Sequence, residues 1–421
     1  MAGEASSIAA NQTRTFLELW ASLAPFLATD RNIPERLNQL LGRNRSFGSR
    51  DRRLYRELAY TGFRFHAWLA AGLSTANEDA LRALVWLAAE NTATQRLKAH
   101  WCNAWPKLPA RVEEKRSILS AGTAGLKLDL PLVPDWFSHE CPEANNPRLI
   151  DTLHSRSPLW IRVQTDKPAA LREEFRARGW QVTESPVLSQ AWRIEASDQD
   201  LTDSRAFREG QFEIQDLGSQ ILAAAPPVRE GTHWFDACAG AGGKTLPLAQ
   251  RVGINGRVTA WDVRGSALAE LRVRADRSPF TNIRIARPVS EETFDGVFVD
   301  APCSGSGTWR RAPHLKLSTH ESTIRDASRN QLQLLSRLSA HVRPEGVLVY
   351  ATCSLCRSEN HRVTTAFLDQ NPDFRRFPLQ TSFGYSDAAD SGELTLTPEV
   401  HDTDGFYLAC LIRQTAPKSS G

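Results

Sequence analysis

No stretch of the 421 residues approaches the roughly 18 consecutive apolar positions that a membrane span needs. The opening, MAGEASSIAANQTRTF, lacks the basic, then apolar, then small-residue order of a secretory signal, so a cytoplasmic protein is expected. Charge of one sign is missing too: 51 basic residues face 48 acidic ones, a formal +3, and overall electrostatics therefore name no partner. Lysine is scarce, 8 against 43 arginines, which makes a lysine inside a compact motif worth weighing. The seven cysteines are odd in number and scattered, and they read as thiols, not as a disulfide framework. Apolar content of 41% and charged content of 24% exclude wholesale disorder and fibrous repeats. At roughly 150 residues per domain, the length predicts two to three domains.

Up to about residue 125 every periodic segment is helical. Phe16, Leu17, Leu19, Trp20, Leu23, Phe26 and Leu27 form one apolar stripe, and Thr75 with Glu78 reads as a capping box before DALRALVWLAAE. Within this all-helical domain, residues 31–64 hold nine arginines (31, 36, 43, 45, 50, 52, 53, 56 and 64) against Glu35, Asp51 and Glu57. That density suits phosphate contacts, or equally a solvated helix face. The proline-rich passage LDLPLVPDWF and then PEANNP break the pattern. PLWIRVQ, PAALREEFRARG, WQVTES and AWRIEA follow as a short α+β block ending near 205. From 233 onward strands and helices alternate strictly, which predicts an α/β fold with a mostly parallel, doubly wound sheet whose ligand site lies at the carboxyl ends of the strands. The closing TAPKSSG reads as a frayed tail.

DACAGAGGKT (236–245) follows a strand and opens a helix, a context in which small residues admit a ligand to the backbone. A phosphate-binding loop requires glycine six residues before Lys244, where Cys238 stands, so nucleotide hydrolysis is a weakened alternative. A nucleoside ligand requires a carboxylate at the end of the second strand, which Asp262 supplies. A loop that merely permits tight helix packing is the bland alternative.

Two more strand ends carry chemistry: DAPCSGSGT, with Asp300 and Cys303, and YATCSLC, with Cys353. A lone cysteine is more often core filler than nucleophile, but two at adjoining strand ends are not. Cys353 and Cys356 form a single pair without partners, too little for zinc, and no metal is expected. A thiolate that adds to carbon 6 of cytosine makes carbon 5 nucleophilic. An acid such as Asp300 near ring nitrogen 3 stabilises the charge that builds, and a second group must help release the product. The residues alone leave open which cysteine attacks.

With these motifs in hand, residues of about 150–413 resemble the RNA 5-methylcytosine methyltransferases of the Sun/Fmu and NOL/NOP/Sun type. The family's DxCAAPGGKT is matched by DACAGAGGKT, its TCS by 352–354 and its DAPCSG by 300–305. FREGQFEIQDLGSQ and DGFYLACL are similar to its lead-in and ending. The resemblance implies a Rossmann-like methyltransferase sheet and S-adenosylmethionine as cofactor. It implies that Cys353 is the nucleophile and Cys303 the group that assists release. Cys238, Ala239, Gly240, Ala241, Gly242, Gly243, Lys244, Asp262 and Asp300 line the cofactor and base pocket, Lys244 and Asp300 also counting as catalytic. More distantly, residues 31–70 resemble the NusB-like RNA-binding domain of bacterial ribosomal members. The expected division is a helical domain at 1–140, an RNA-facing α+β subdomain at 150–205 and a methyltransferase domain at 206–421. The expected protein is a monomer acting on RNA, ribosomal RNA first. The chain departs from the family after the third strand, where Arg287 and Pro288 stand in place of an acidic residue. That departure motivates the rival expectation of a non-catalytic RNA-binding or assembly protein on a methyltransferase scaffold.

Overall fold

Apolar residues at three-and-four spacing make the first part of the chain fold as one helix after another. The computed structural model describes residues 2–195, 200–379, 381–385 and 388–415. The end of the strand-like AWRIEA, at 196, and the tail at 416–421 lie outside the described residues. Two compact units result. One takes the chain up to Arg156 together with Thr308–His320; the other takes Ser157–Gly307 and the chain from Glu321 on.

In the first unit the helices among the described residues are Ala2–Leu23, Ile33–Arg43, Ser49–Arg64, His66–Ser74, Glu78–Leu87, Gln95–Trp101 and Val112–Gly122, followed by the short Phe137–Glu140, Pro147–Leu153 and His314–Ser318. Phe16, Trp20, Leu23 and Leu27 of the expected stripe are buried, alongside Leu54, Leu58, Phe63, Trp68 and Leu84. Phe26 is not: Pro25 ends the first helix at Leu23, the tighter turn Ala24–Phe26 changes the phase, and Phe26 lies at the surface under the Arg36 guanidinium, 3.7 Å away. The expected capping box also moves. Asn77 caps Glu78–Leu87 by accepting from Ala80 N at 3.0 Å, whereas Thr75 turns its hydroxyl back to the carbonyls of Ala71 and Gly72 and closes the preceding helix. Ala76, at φ +54°, reverses the chain between the two roles. The proline-rich passage packs into this unit, with Leu132 buried and the Trp68 indole donating to Leu130 O at 3.0 Å. So does Thr308–His320, where Trp309 lies 4.6 Å from the Phe137 ring and Lys316 donates to Arg64 O at 2.9 Å.

The second unit holds two sheets. Strands β1 (Leu159–Val163), β2 (Gln181–Glu184), β3 (Ala191–Glu195) and β4 (Phe212–Ile214) form an antiparallel sheet in the order β2-β3-β1-β4. The larger sheet comprises β5 (His233–Asp236), β6 (Arg257–Ala260), β7 (Ile283–Ile285), β8 (Phe294–Asp300), β9 (Val342–Thr352), β10 (Phe374–Arg376), β11 (Glu393–Leu396) and β12 (Phe406–Arg413). Its order is β10-β12-β9-β8-β5-β6-β7, with β11 paired to β12. Strands β5 to β9 run parallel, and β12 returns antiparallel to β9. This is the doubly wound, Rossmann-like sheet that the alternation predicts.

Successive residues serve opposite faces, as the pleat demands. Trp234, Phe298 and Val349 join the cluster under helices Leu217–Ala224 and Thr245–Val252, while Phe235, Val297, Val299 and Tyr350 join the one under Glu321–Ser339 and His361–Gln370. Strand order reverses at β5, between β6 and β8, so the crevice at the carboxyl ends opens where Asp236, Asp262, Asp300 and Cys353 leave their strands. The smaller sheet is tied to the larger by the Trp160 indole donating to Asp402 O at 3.0 Å and by the Arg193–Asp402 ion pair at 2.6 Å.

Candidate active site

The loop after β5 takes its shape from backbone that other side chains hold. Gly240 and Gly242 adopt φ +52° and +91°, conformations that L side chains rarely tolerate. A Cβ on Gly242 would lie 2.4 Å from Leu271 Cδ1, whereas before Gly240 the nearest atom, at 3.5 Å, is the end of the Arg264 side chain. The loop is therefore packed behind and open in front. Ala239 N donates to Trp261 O, Gly242 N to Ala239 O, Arg274 Nη1 to Ala241 O at 2.7 Å and Gln215 Nε2 to Gly243 O at 2.7 Å. Gln215 and its neighbour Asp216 belong to the lead-in segment. Asp216 accepts from Gly218 N and from Thr403 Oγ1 at 2.6 Å, which ties the lead-in to the chain before β12.

Three carboxylates and one ammonium surround this loop. Asp262 stands two residues beyond β6 and accepts from Gly240 N at 2.9 Å, from Arg264 N at 2.8 Å and from the Arg264 guanidinium at 3.0 Å on each oxygen. Burial opposes its charge, but these donors hold its carboxyl below the usual value. Lys244 is buried, with Nζ 2.7 Å from Asp300 Oδ2. Burial works against the ammonium, yet the adjacent carboxylate outweighs it and lifts the lysine above its usual pKa. Asp236, fully buried beneath the loop, accepts from Thr245 Oγ1 at 2.6 Å through Oδ2, while Oδ1 has no partner among the described residues. Burial pushes that carboxyl up to about 7. Cys238 is half-buried, and burial followed by the neighbouring carboxylates pushes its thiol up to about 12, so it keeps its proton.

The two cysteine loops meet. Cys303 Sγ and Cys353 Sγ are 3.3 Å apart and both are half-buried. The hydrogen bond with Cys353, then burial, hold the Cys303 thiol well above its usual pKa. Gly307 N donates to Cys353 O at 3.0 Å and Leu355 N to Ser306 Oγ at 2.9 Å, so each loop supports the other. Between them lies Glu359, fully buried. The residues singled out at the strand ends meet in pairs: Lys244 contacts Asp300, Asp262 contacts the glycine loop and Cys303 contacts Cys353, with Cys353 close enough to act electrostatically on Lys244.

Sequence reasoning missed Asp236, Glu359 and Gln215. Asp236 and Gln215 stand inside motifs already quoted, but a buried carboxylate or amide has no periodic signature; only their polarity at positions otherwise read as strand or lead-in marks them. Among the nine arginines of 31–64, Arg31, Arg43, Arg45, Arg50, Arg53 and Arg56 are exposed, while Arg64 is buried. Asp51 accepts from Gly48 N and Glu57 from Ala89 N, while Arg36 pairs with Asp30 at 3.0 Å. The Arg287 guanidinium lies over Trp261, 5.3 Å from the ring centre. No helix among the described residues is long and apolar enough to cross a membrane.

Comparison with known proteins adds to this geometry. Residues 223–412 match the family described as "16S rRNA methyltransferase RsmB/F". The "Probable ribosomal RNA small subunit methyltransferase B" of Bacillus subtilis (strain 168) is 31% identical over 302 residues, a match that spans 67% of this chain and 66% of that protein. Among solved structures, PH0851 is similar with a TM-score of 0.67 and 22% identity over 89% of this chain and 93% of its own. A methyltransferase homologue from Pyrococcus horikoshii is 25% identical with a TM-score of 0.57, over 66% of this chain and 95% of its own.

Proposed function

Because the chain belongs to the 16S rRNA methyltransferase RsmB/F family, we propose that it methylates carbon 5 of a cytosine in ribosomal RNA through a temporary bond to Cys353, with S-adenosylmethionine as methyl donor. The observation that carries this reading is the pair of half-buried sulfurs, 3.3 Å apart at neighbouring strand ends beside the Lys244–Asp300 pair. A nucleotide hydrolase leaves both sulfurs unused.

The residues present fit the donor. Asp262 offers a carboxylate to ribose hydroxyls, the front of Gly240 is open to within 3.5 Å, and the partnerless Asp236 Oδ1 lies beneath the loop. When bound, S-adenosylmethionine supplies an electrophilic methyl group. The protein's own part is to take an unstacked cytosine into the crevice and add the Cys353 sulfur to its carbon 6. The Lys244 ammonium donates to Asp300 Oδ2 at 2.7 Å, and we assign this pair to stabilising charge on the ring as it builds. The carbon 5 proton then passes to the Cys303 sulfur, its electron pair re-forms the double bond between carbons 5 and 6, and the carbon-sulfur bond breaks with its pair returning to Cys353. Cys303 is suited to that second half. Its pKa is raised first of all by the Cys353 thiol, and once that sulfur is bonded to the base this cause is gone. The exposed arginines of 43–56 are fitted to phosphate contacts, and we assign the protein to the cytoplasm as a monomer.

Incubation of the full chain with labelled donor and RNA tests the proposal. Cys353→Ala is expected to abolish transfer, and Cys303→Ala to leave protein covalently attached to RNA. Full transfer by Cys353→Ala removes the mechanism. One observation favours the second reading, an RNA-binding scaffold without activity: the Arg264 fork already fills the Asp262 oxygens. Calorimetric titration with S-adenosylmethionine separates the two, since the scaffold reading requires that no binding be seen.

A further inference from the structure

We infer that Glu359 is a positioning residue that sets the distance between the two cysteine sulfurs. The inference rests on the reading of Cys303 and Cys353 given above. A carboxylate offers only acceptors, and Glu359 uses both oxygens on the two loops at once. Oε1 accepts from Ser304 N at 2.7 Å and from Gln331 Nε2 at 3.1 Å. Oε2 accepts from the hydroxyl of Ser304 and from that of Ser354, the latter at 2.6 Å. Ser304 follows Cys303 and Ser354 follows Cys353, so one side chain fastens the residue next to each sulfur.

The clamp is itself held rigidly. Gln331 also donates to Pro302 O at 2.9 Å, and Tyr350 OH donates to the Glu359 carbonyl at 2.5 Å. Asn360, next in sequence, accepts from Thr352 Oγ1 at 2.6 Å and donates to Ser354 O at 2.8 Å. Asn360 thus closes the Cys353 loop alone, whereas Glu359 joins the two loops. Side chains locked by such supporting bonds hold reacting groups to the tolerance that chemistry requires, and a misplacement of ~1 Å can cost about a hundredfold in rate.

The distance between the sulfurs can be read without methyl transfer, through the equilibrium of the Cys303–Cys353 disulfide with the glutathione couple. One oxidised glutathione takes two electrons from the two thiols and leaves as two reduced molecules, and the fraction formed tracks how closely the sulfurs are held. The full-length protein is equilibrated in mixtures of reduced and oxidised glutathione, and the bond is mapped by mass spectrometry. Glu359→Gln is expected to lower the equilibrium constant about tenfold and to lower kcat while leaving KM for the methyl donor unchanged. Leu171→Ala, a core change in the helix Pro168–Ala177 that shares its core with the small sheet, controls for general loosening and is expected to leave the disulfide equilibrium as in wild type. If Glu359→Gln does not fold, Ser304→Ala and Ser354→Ala each remove one donor and are expected to shift the equilibrium the same way by less. A wild-type equilibrium in these variants overturns the inference. Methyl transfer by Cys353→Ala overturns the catalytic reading instead and leaves the thiol result standing, so the two failures are distinct.

Discussion

Thr245 Oγ1 donates to Asp236 Oδ2 at 2.6 Å, and among the described residues the other oxygen of this carboxyl, at the floor of the glycine loop, has no partner. Burial raises this group from the usual 3.8 to about 7. A folded-state value above the unfolded one means that the folded protein holds the proton more tightly. Stability from this source is therefore complete below about pH 4 and is lost as pH rises towards 7. Replacement by Asn, which cannot ionise, is expected to flatten that loss. Urea unfolding of wild type and Asp236→Asn at pH 5 and pH 8 should show the variant gaining on the order of 2–3 kcal/mol relative to wild type across the interval. Parallel pH profiles refute the assignment.

The Lys244–Asp300 pair invites a double-mutant cycle. Lys244→Met strands Asp300 at a site about one quarter exposed, its side-chain exposure being 27%, and should cost about 2 kcal/mol, less than a fully buried pair. Adding Asp300→Leu should recover most of that stability without recovering methyl transfer. Recovery of both identifies the pair as structural only.

On the proposed reading, in which Asp262 takes the ribose of the methyl donor, Arg264 competes with that ligand. Its backbone N–H and two guanidinium nitrogens, together with Gly240 N, supply four donors to the carboxylate. The Arg264 side chain is 66% exposed, so the fork is screened and weak. Arg264→Ala is expected to tighten S-adenosylmethionine binding by roughly threefold to tenfold, the range of an exposed interaction of about 1 kcal/mol. Isothermal titration calorimetry reads this directly, and weaker binding by the variant shows that the guanidinium assists the ligand.

RNA binding should follow salt if the arginines of the helical unit meet phosphates. Replacing Arg43, Arg45 and Arg50 together by Ala should lower the slope of log K against log salt by about 2 to 3. An unchanged slope returns these residues to a solvated helix face.

Strands β5, β6, β8, β9 and β12 were legible because each is an apolar run bounded by glycine, proline or acidic residues; alternation with helices fixed the parallel order of the first four, whereas nothing local told that β12 would return antiparallel to β9. Strands β10 and β11, three and four residues long, carry too few positions to show a period. The strand-end cysteines and Asp262 were legible because motif and strand end coincide. Their partners were not. Nothing local tells that Glu359 will reach Ser304, 55 residues away, or that Gln215 will cap Gly243. Phe26 and Thr75 were misplaced for a local reason, since one proline and one left-handed alanine reset the phase on which each expectation relied.

Thr308–His320, drawn from between β8 and β9, has consequences for dissecting the protein. Trp309 is 1% exposed among helical-unit side chains, and Lys316 hydrogen-bonds inside the same unit. A fragment started after Arg156 leaves this stretch, whose Trp309, Arg310, His314 and Lys316 are buried, without its surroundings, five residues downstream of Cys303. Truncations made to simplify biochemistry are thus expected to yield sticky, poorly behaved material, and the two units are better studied, inherited and exchanged as one.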